Sequence, residues 1–197
     1  MTENSDEVLS TAVMLSSVGL SIICLSALLF VFPIEAALAT ALLAFAMALV
    51  TATDLRRFII PDVVSLPAIP AGIVSNVLVF HSGDWWAGLT QSLLGAFIGA
   101  SVFFLLRLFY RWARGAEGLG LGDVKLAAVA GAWLGPDPLA DACLVAALSA
   151  LAVVALRTLR KSVKQVSTRT VIPFGAFIAP VIFLFWVWRL LTNGLMT

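Results

Sequence analysis

The sequence predicts an all-α fold, a polytopic membrane helix bundle of about six to seven transmembrane helices, and three observations carry that prediction. Of 197 residues, 61% are hydrophobic and only 12% are charged, with a mean hydropathy of +1.07. One water-soluble core cannot hide so much apolar surface, so lipid must be the solvent for much of it. The apolar residues also come in runs near the roughly 20 residues a helix needs to cross a bilayer. Finally, the basic residues gather in alternate connections between those runs, as they do when one side of a membrane retains them.

The chain reads as a single membrane-embedded domain over residues 1–197 with a short acidic tail at 1–8. That tail has no basic residue, and the apolar run after it is too long for a signal-peptide core, so the first helix is expected to be retained. This first span covers about residues 9–32 and a second about 36–53, with Pro33, Ile34 and Glu35 making a tight hairpin between them. The second ends on Asp54, followed by Arg56 and Arg57. A third span covers about 63–80. Pro61 suits a helix start, and Asp62 is expected to accept hydrogen bonds from the free amides of the first turn. Pro67 and Pro70 inside this span predict a kink. Residues 81–86 form an interfacial loop anchored by Trp85 and Trp86, and a fourth span covers about 88–108. A basic and then glycine-rich loop leads to residues 123–134, a segment short for a full span and stopped by Gly135-Pro136-Asp137-Pro138. Spans at about 139–156 and 171–191 follow, separated by a basic stretch at 157–170.

Orientation follows from charge. Arg56, Arg57, Arg107, Arg111, Arg114, Lys125, Arg157, Arg160, Lys161, Lys164 and Arg169 fall on one side, which the retention rule makes cytoplasmic; only Arg189 lies near the other. The opposite loops hold Glu35, Asp84, Asp137 and Asp141 and no lysine or arginine. A net charge of +1 leaves no basic face able to neutralise many phosphates, so nucleic acid is not an expected partner. Cys24 and Cys143 lie singly in apolar runs and suit neither a zinc ribbon nor an internal disulfide framework.

Two carboxylates stand out. Asp54 closes one apolar run and Asp123 opens another, both on the basic side. Either alone could be only a helix cap. Together they suit a two-carboxylate hydrolytic site, because two aspartates close to one another cannot both ionise easily: one keeps its proton while the other acts as base toward a water. Such a site attacks a peptide carbonyl without a metal or cofactor, and none is expected here. Gly118, Gly120 and Gly122 alternate before Asp123, giving backbone that can take positive φ and let an extended chain pass close by.

The sequence Gly120-Leu121-Gly122-Asp123-Val124-Lys125-Leu126, together with Asp54 followed by Ile60-Pro61-Asp62, resembles the type IV prepilin peptidase family of GxGD aspartic proteases. The likeness runs from about residue 44 to 179. It implies Asp54 and Asp123 as the catalytic pair, with Asp62, Glu117, Gly120, Gly122 and Lys125 as motif residues in support. Pro173-Phe174-Gly175 also resembles a family element, with Ala176 where a second proline is common. The long family members carry an N-terminal region with paired CxxC motifs and methyltransferase activity, which this sequence lacks, so it is similar to the short form serving Flp/Tad-type pili. The resemblance implies cleavage, without N-methylation, of the short basic leader of prepilin or pseudopilin precursors. The cut falls after a glycine, just before the apolar helix, on the cytoplasmic side of the inner membrane, and the expected partners are the precursor, membrane lipid and the pilus assembly machinery.

Two other classes remain open from the residues alone. A small proton-coupled transporter would place carboxylates at mid-membrane depth along a path to the other face, whereas these lie at one edge. A structural pilus-assembly subunit would use both aspartates as caps. Lys125 suits tuning of Asp123, binding of a substrate carbonyl, or reaching to lipid headgroups. His81 reads as an ordinary interfacial residue, and Trp85, Trp86, Trp112, Trp133, Trp186 and Trp188 as belt residues.

Overall fold

The computed structural model describes residues 32–115, 118–160 and 173–194, with Val18, Gly19 and Ile22 besides. Most of the expected first span, and residues 161–170 of the last basic loop, lie outside the described residues. Among these, six helices follow one another: α1 (Ile34–Arg57), α2 (Asp62–Phe80), α3 (Trp85–Arg114), α4 (Leu121–Leu134), α5 (Pro136–Arg160) and α6 (Gly175–Gly194). All except α4 are long and apolar enough to cross a membrane.

The 14-residue α4 is the centre of the bundle. Every residue from Leu126 to Leu134 is buried, and α4 packs on α2, α3, α5 and α6. A helix that is apolar on all sides belongs in a core. Its closest neighbour is α3, and the small residues on both explain why. A methyl group added to Gly95 would collide with the Gly131 carbonyl, and one on Gly99 with the Ala127 carbonyl. Backbone therefore lies on backbone, the close approach that small residues permit between helices in lipid.

Polar side chains tie the other helices. Asn76 Nδ2 on α2 donates to Ser92 Oγ on α3 at 2.7 Å. The two largest core side chains correct the belt expectation: Trp133 and Trp186 are 1% and 0% exposed and meet edge to face, with ring centres 5.0 Å apart. Each buried indole N–H needs an acceptor. Trp133 donates to the Ala68 carbonyl at 2.8 Å and Trp186 to Thr40 Oγ1 at 2.9 Å. Trp85, Trp86, Trp112 and Trp188 are exposed, as belt residues should be. Arg189, the basic residue on the acidic side, reaches into the bundle rather than lying in a loop. Its Nη1 donates to Asn76 Oδ1 at 2.9 Å and the Leu134 carbonyl at 3.2 Å, while its guanidinium lies 4.0 Å from the Phe80 ring centre.

Helix α2 runs through both Pro67 and Pro70 without a break. Its first turn also departs from expectation, since no side chain caps it. The Asp62 carboxylate is engaged elsewhere, as described below. The bundle has two ends. The C-termini of α1 and α3 and the N-termini of α2, α4 and α6 form one, carrying Arg56, Arg57, Arg107, Arg111, Arg114 and Lys125. Phe32, Pro33, Glu35, Phe80, His81, Ser82 and Arg189 gather around a cavity at the other.

Candidate active site

Asp54 lies in the last turn of α1 and is 5% exposed. Helix α1 ends immediately after it through Phe58, which takes the left-handed conformation at φ 54° and donates its N–H to the Asp54 carbonyl at 3.0 Å. That conformation costs an L-residue about 1–2 kcal/mol. It turns residues 59–62 back over the end of the bundle. The Asp54 side chain meets the N-terminus of α6: the Ala176 N–H donates to Oδ2 at 2.8 Å, with the Gly175 amide beside it. Free amides at a helix start suit an anion, so they are natural partners for this carboxylate. Gly175 has to be small here, because an added Cβ would sit 2.9 Å from both Asp54 Oδ2 and Ile60 Cδ1.

Asp123 stands in the first turn of α4, where its Oδ2 accepts the Gly120 N–H at 3.1 Å. It is thus a cap, but not only a cap. Burial pushes its carboxyl up to about 6, against the opposing effect of the Gly120 amide and with a further upward contribution from the charge of Asp54. The loop before it is held by Arg107 of α3, whose Nη1 donates to the Leu119 carbonyl at 2.6 Å. Gly118 and Gly122 serve close packing, and Gly120 does not take positive φ. Gly120 has φ −71°, and Gly122 is helical with Ile60 Cβ 3.0 Å from where its own Cβ would be. A side chain at Gly118 would enter the Tyr110 ring.

Asp54 and Asp123 wall the same cavity, about 410 Å³ in volume, with Phe58, Ile60, Gly120 and Phe174. Asp62 also lines it, and its Oδ1 takes a 2.6 Å ion pair from Lys125 Nζ. That bond joins the first turns of α2 and α4 across the mouth. It accounts for the absent cap on α2 and gives Lys125 a partner other than Asp123. Asp62, Gly120, Gly122 and Lys125 are therefore brought together around the pair, while Glu117 lies outside the described residues. Sequence reasoning did not place Ile60, Arg107, Gly175 or the Ala176 amide at the site. Pro173-Phe174-Gly175 was the one signal that could have done so. Among the described residues, no group of three or more His, Cys, Asp and Glu side chains is placed to hold a metal ion.

Residues 41–156 match the type IV leader peptidase family. The chain belongs to that family. It is 34% identical over 149 residues to a prepilin leader peptidase/N-methyltransferase of Burkholderia pseudomallei, a match covering 75% of this chain and 45% of that protein. Proteins of the same description are similar in Pectobacterium carotovorum, at 36% identity over 70% of this chain and 46% of the relative, and in Pseudomonas aeruginosa, at 34% over 70% and 45%. The chain spans about half the length of these relatives. No solved structure matches it. In this type IV leader peptidase family member, both aspartates and the glycine-rich loop fall within the matched residues.

Proposed function

We propose that this protein is a membrane aspartic endopeptidase that removes the short basic leader from type IV prepilins of the Flp/Tad type, at the cytoplasmic face of the inner membrane. One observation carries the reading: two carboxylates 69 positions apart in sequence, on the ends of different helices, wall one cavity at the basic end of the bundle. In this reaction Asp123 holds a proton and Asp54, ionised, takes one from a water that attacks the scissile carbonyl. Asp123 hydrogen-bonds the carbonyl oxygen as its charge develops, and a proton then passes to the leaving nitrogen. The amides at the start of α6 hold the Asp54 carboxylate, and the Lys125–Asp62 pair fixes the spacing of the α2 and α4 ends. The proposal covers cleavage alone, with prepilin as substrate and the pilus assembly machinery as the destination of the product.

The test is a gel-shift cleavage assay in membranes, using an Flp-type prepilin from the same genome with wild type, Asp54→Asn and Asp123→Asn at equal level. Losing one acid–base group costs roughly 10²- to 10⁴-fold in rate, so each variant should cut at least 100-fold more slowly. Cleavage by both variants at the wild-type rate would make the carboxylates structural.

A further inference from the structure

A further cavity opens on the flank of the bundle, about 690 Å³ in volume, between α3 and α5. One wall is a stripe on α3 at helical spacing: Ile98, Val102, Leu106 and Phe109. The other is the α5 stripe of Ala140, Cys143, Leu144 and Ala147. In a membrane protein an exposed apolar wall is ordinary, so exposure carries nothing. Shape and position do. The α3 stripe runs from Ile98 to Tyr110, about 18 Å at 1.5 Å per residue, which is about three helical turns. Small exposed residues at Ala140 and Ala147 on α5 let another backbone come close, the arrangement by which helices associate in lipid.

The groove also leads to the acid pair. Gly118, Leu119 and Phe174 wall both this cavity and the one holding Asp54 and Asp123. At the junction the Phe103 and Phe174 rings lie 5.9 Å apart. A chain with its cleaved bond between the aspartates and an apolar helix starting a few residues away would lie along this channel. A lipid tail would gain nothing from that continuity.

We propose that the α3–α5 groove is the docking site for the apolar helix of the substrate, so that recognition is made in the membrane plane beside the cut. This inference rests on the peptidase reading above and adds to it the surface that selects the substrate. The leader is then needed only at the cavity, whereas the helix supplies much of the binding.

Two measurements test this. In a Cys24→Ser, Asp123→Asn background, which keeps the precursor uncut, Cys143 is joined by a short bifunctional thiol reagent to single cysteines placed along the prepilin. Cross-links should form within the first three turns after the cut with a three- to four-residue period, and not from the leader. In parallel, Ala140→Trp and Ala147→Trp, both at exposed positions, should lower kcat/KM for the full prepilin at least tenfold. The fall for a peptide ending four residues after the cut should be at least tenfold smaller. Cross-links absent from the apolar segment, or formed only between two copies of the peptidase, would overturn the proposal. So would tryptophan variants that cut both substrates as wild type does. If those results came with aspartate variants that are inactive, the docking surface alone would fall; aspartate variants that cut normally would remove the peptidase reading itself.

Discussion

The carboxyl that the proposed mechanism keeps protonated, Asp123, also bears on the stability of the fold. Its carboxyl ordinarily loses its proton near 3.8, and in the folded protein near 6. The folded state therefore binds the proton more tightly than the unfolded state does. Its stabilising contribution is full below about pH 4, falls as pH rises through about 6, and is level above that, by at most about 3 kcal/mol. Asp123→Asn removes the ionisation and should flatten this window. Melting temperatures of the two forms in detergent between pH 4 and 7.5 should converge at the acid end. At pH 7.5 the Asn form should melt several degrees higher, at about 2–4 °C per kcal/mol for a chain of this size; a constant difference across the range would refute the assignment. Asp54 and Asp123 stood out in the sequence as a pair, because one closes an apolar run and the other opens one on the same basic side. Gly175 was not legible as a neighbour of Asp54. The contact that requires it to be small is made across 121 positions, with Asp54 Oδ2, and no local pattern encodes that distance. Trp133 and Trp186 misled for a related reason: at the end of an apolar run, an indole bound for the core and one bound for the interface look alike until an acceptor such as the Ala68 carbonyl is in place.

At the scale of elements, the long spans were legible from length and hydropathy, because lipid imposes both. The place of α4 was not. The run at 123–134 is 12 residues, short for a span, and the sequence alone did not say where it sits. What decides its central position is the face it shares with α3, where Gly95 meets Gly131 and Gly99 meets Ala127. Neither side of such a contact can swing away as a flexible side chain would, so even one methyl group forces the helices apart. Overpacking commonly costs about 1–3 kcal/mol, and Gly95→Ala or Gly131→Ala should sit at or beyond the upper end of that range. Gly83→Ala, where an added Cβ meets nothing within 4 Å, is the control and should leave the melting temperature within a degree. Cleavage should fall with the same two substitutions, since Arg107 and the Leu119 carbonyl link the α3–α4 spacing to the Asp123 loop. Melts of the Gly95 and Gly131 variants indistinguishable from the control would show that the two backbones are not in contact.

The molecule as a whole is polarised from end to end. The end that holds the acid pair also holds Arg107, Arg111, Arg114 and Lys125, and the cavity at the far end is lined by Glu35, His81 and Ser82. Basic residues stay on the cytoplasmic side during insertion, and in the proposed function this asymmetry faces the acid-lined cavity to the cytoplasm. Arg189 breaks the rule only in a linear reading, because its guanidinium is engaged by Asn76, the Leu134 carbonyl and the Phe80 ring inside the bundle. Single cysteines at Ser82→Cys and Arg114→Cys, both exposed positions at opposite ends, make the orientation measurable when Cys24 and Cys143 are replaced by serine. A membrane-impermeant maleimide should label the Ser82→Cys protein in spheroplasts, and the Arg114→Cys protein only after lysis. The reverse pattern would put Asp54 and Asp123 outside, where a basic leader still held in the cytoplasm could not reach them. Labelling both from one side would break the two-ended bundle itself. The expected pattern joins the two halves of the functional reading: the leader meets the acid pair from the cytoplasm, and the apolar helix behind it enters the α3–α5 groove from the bilayer.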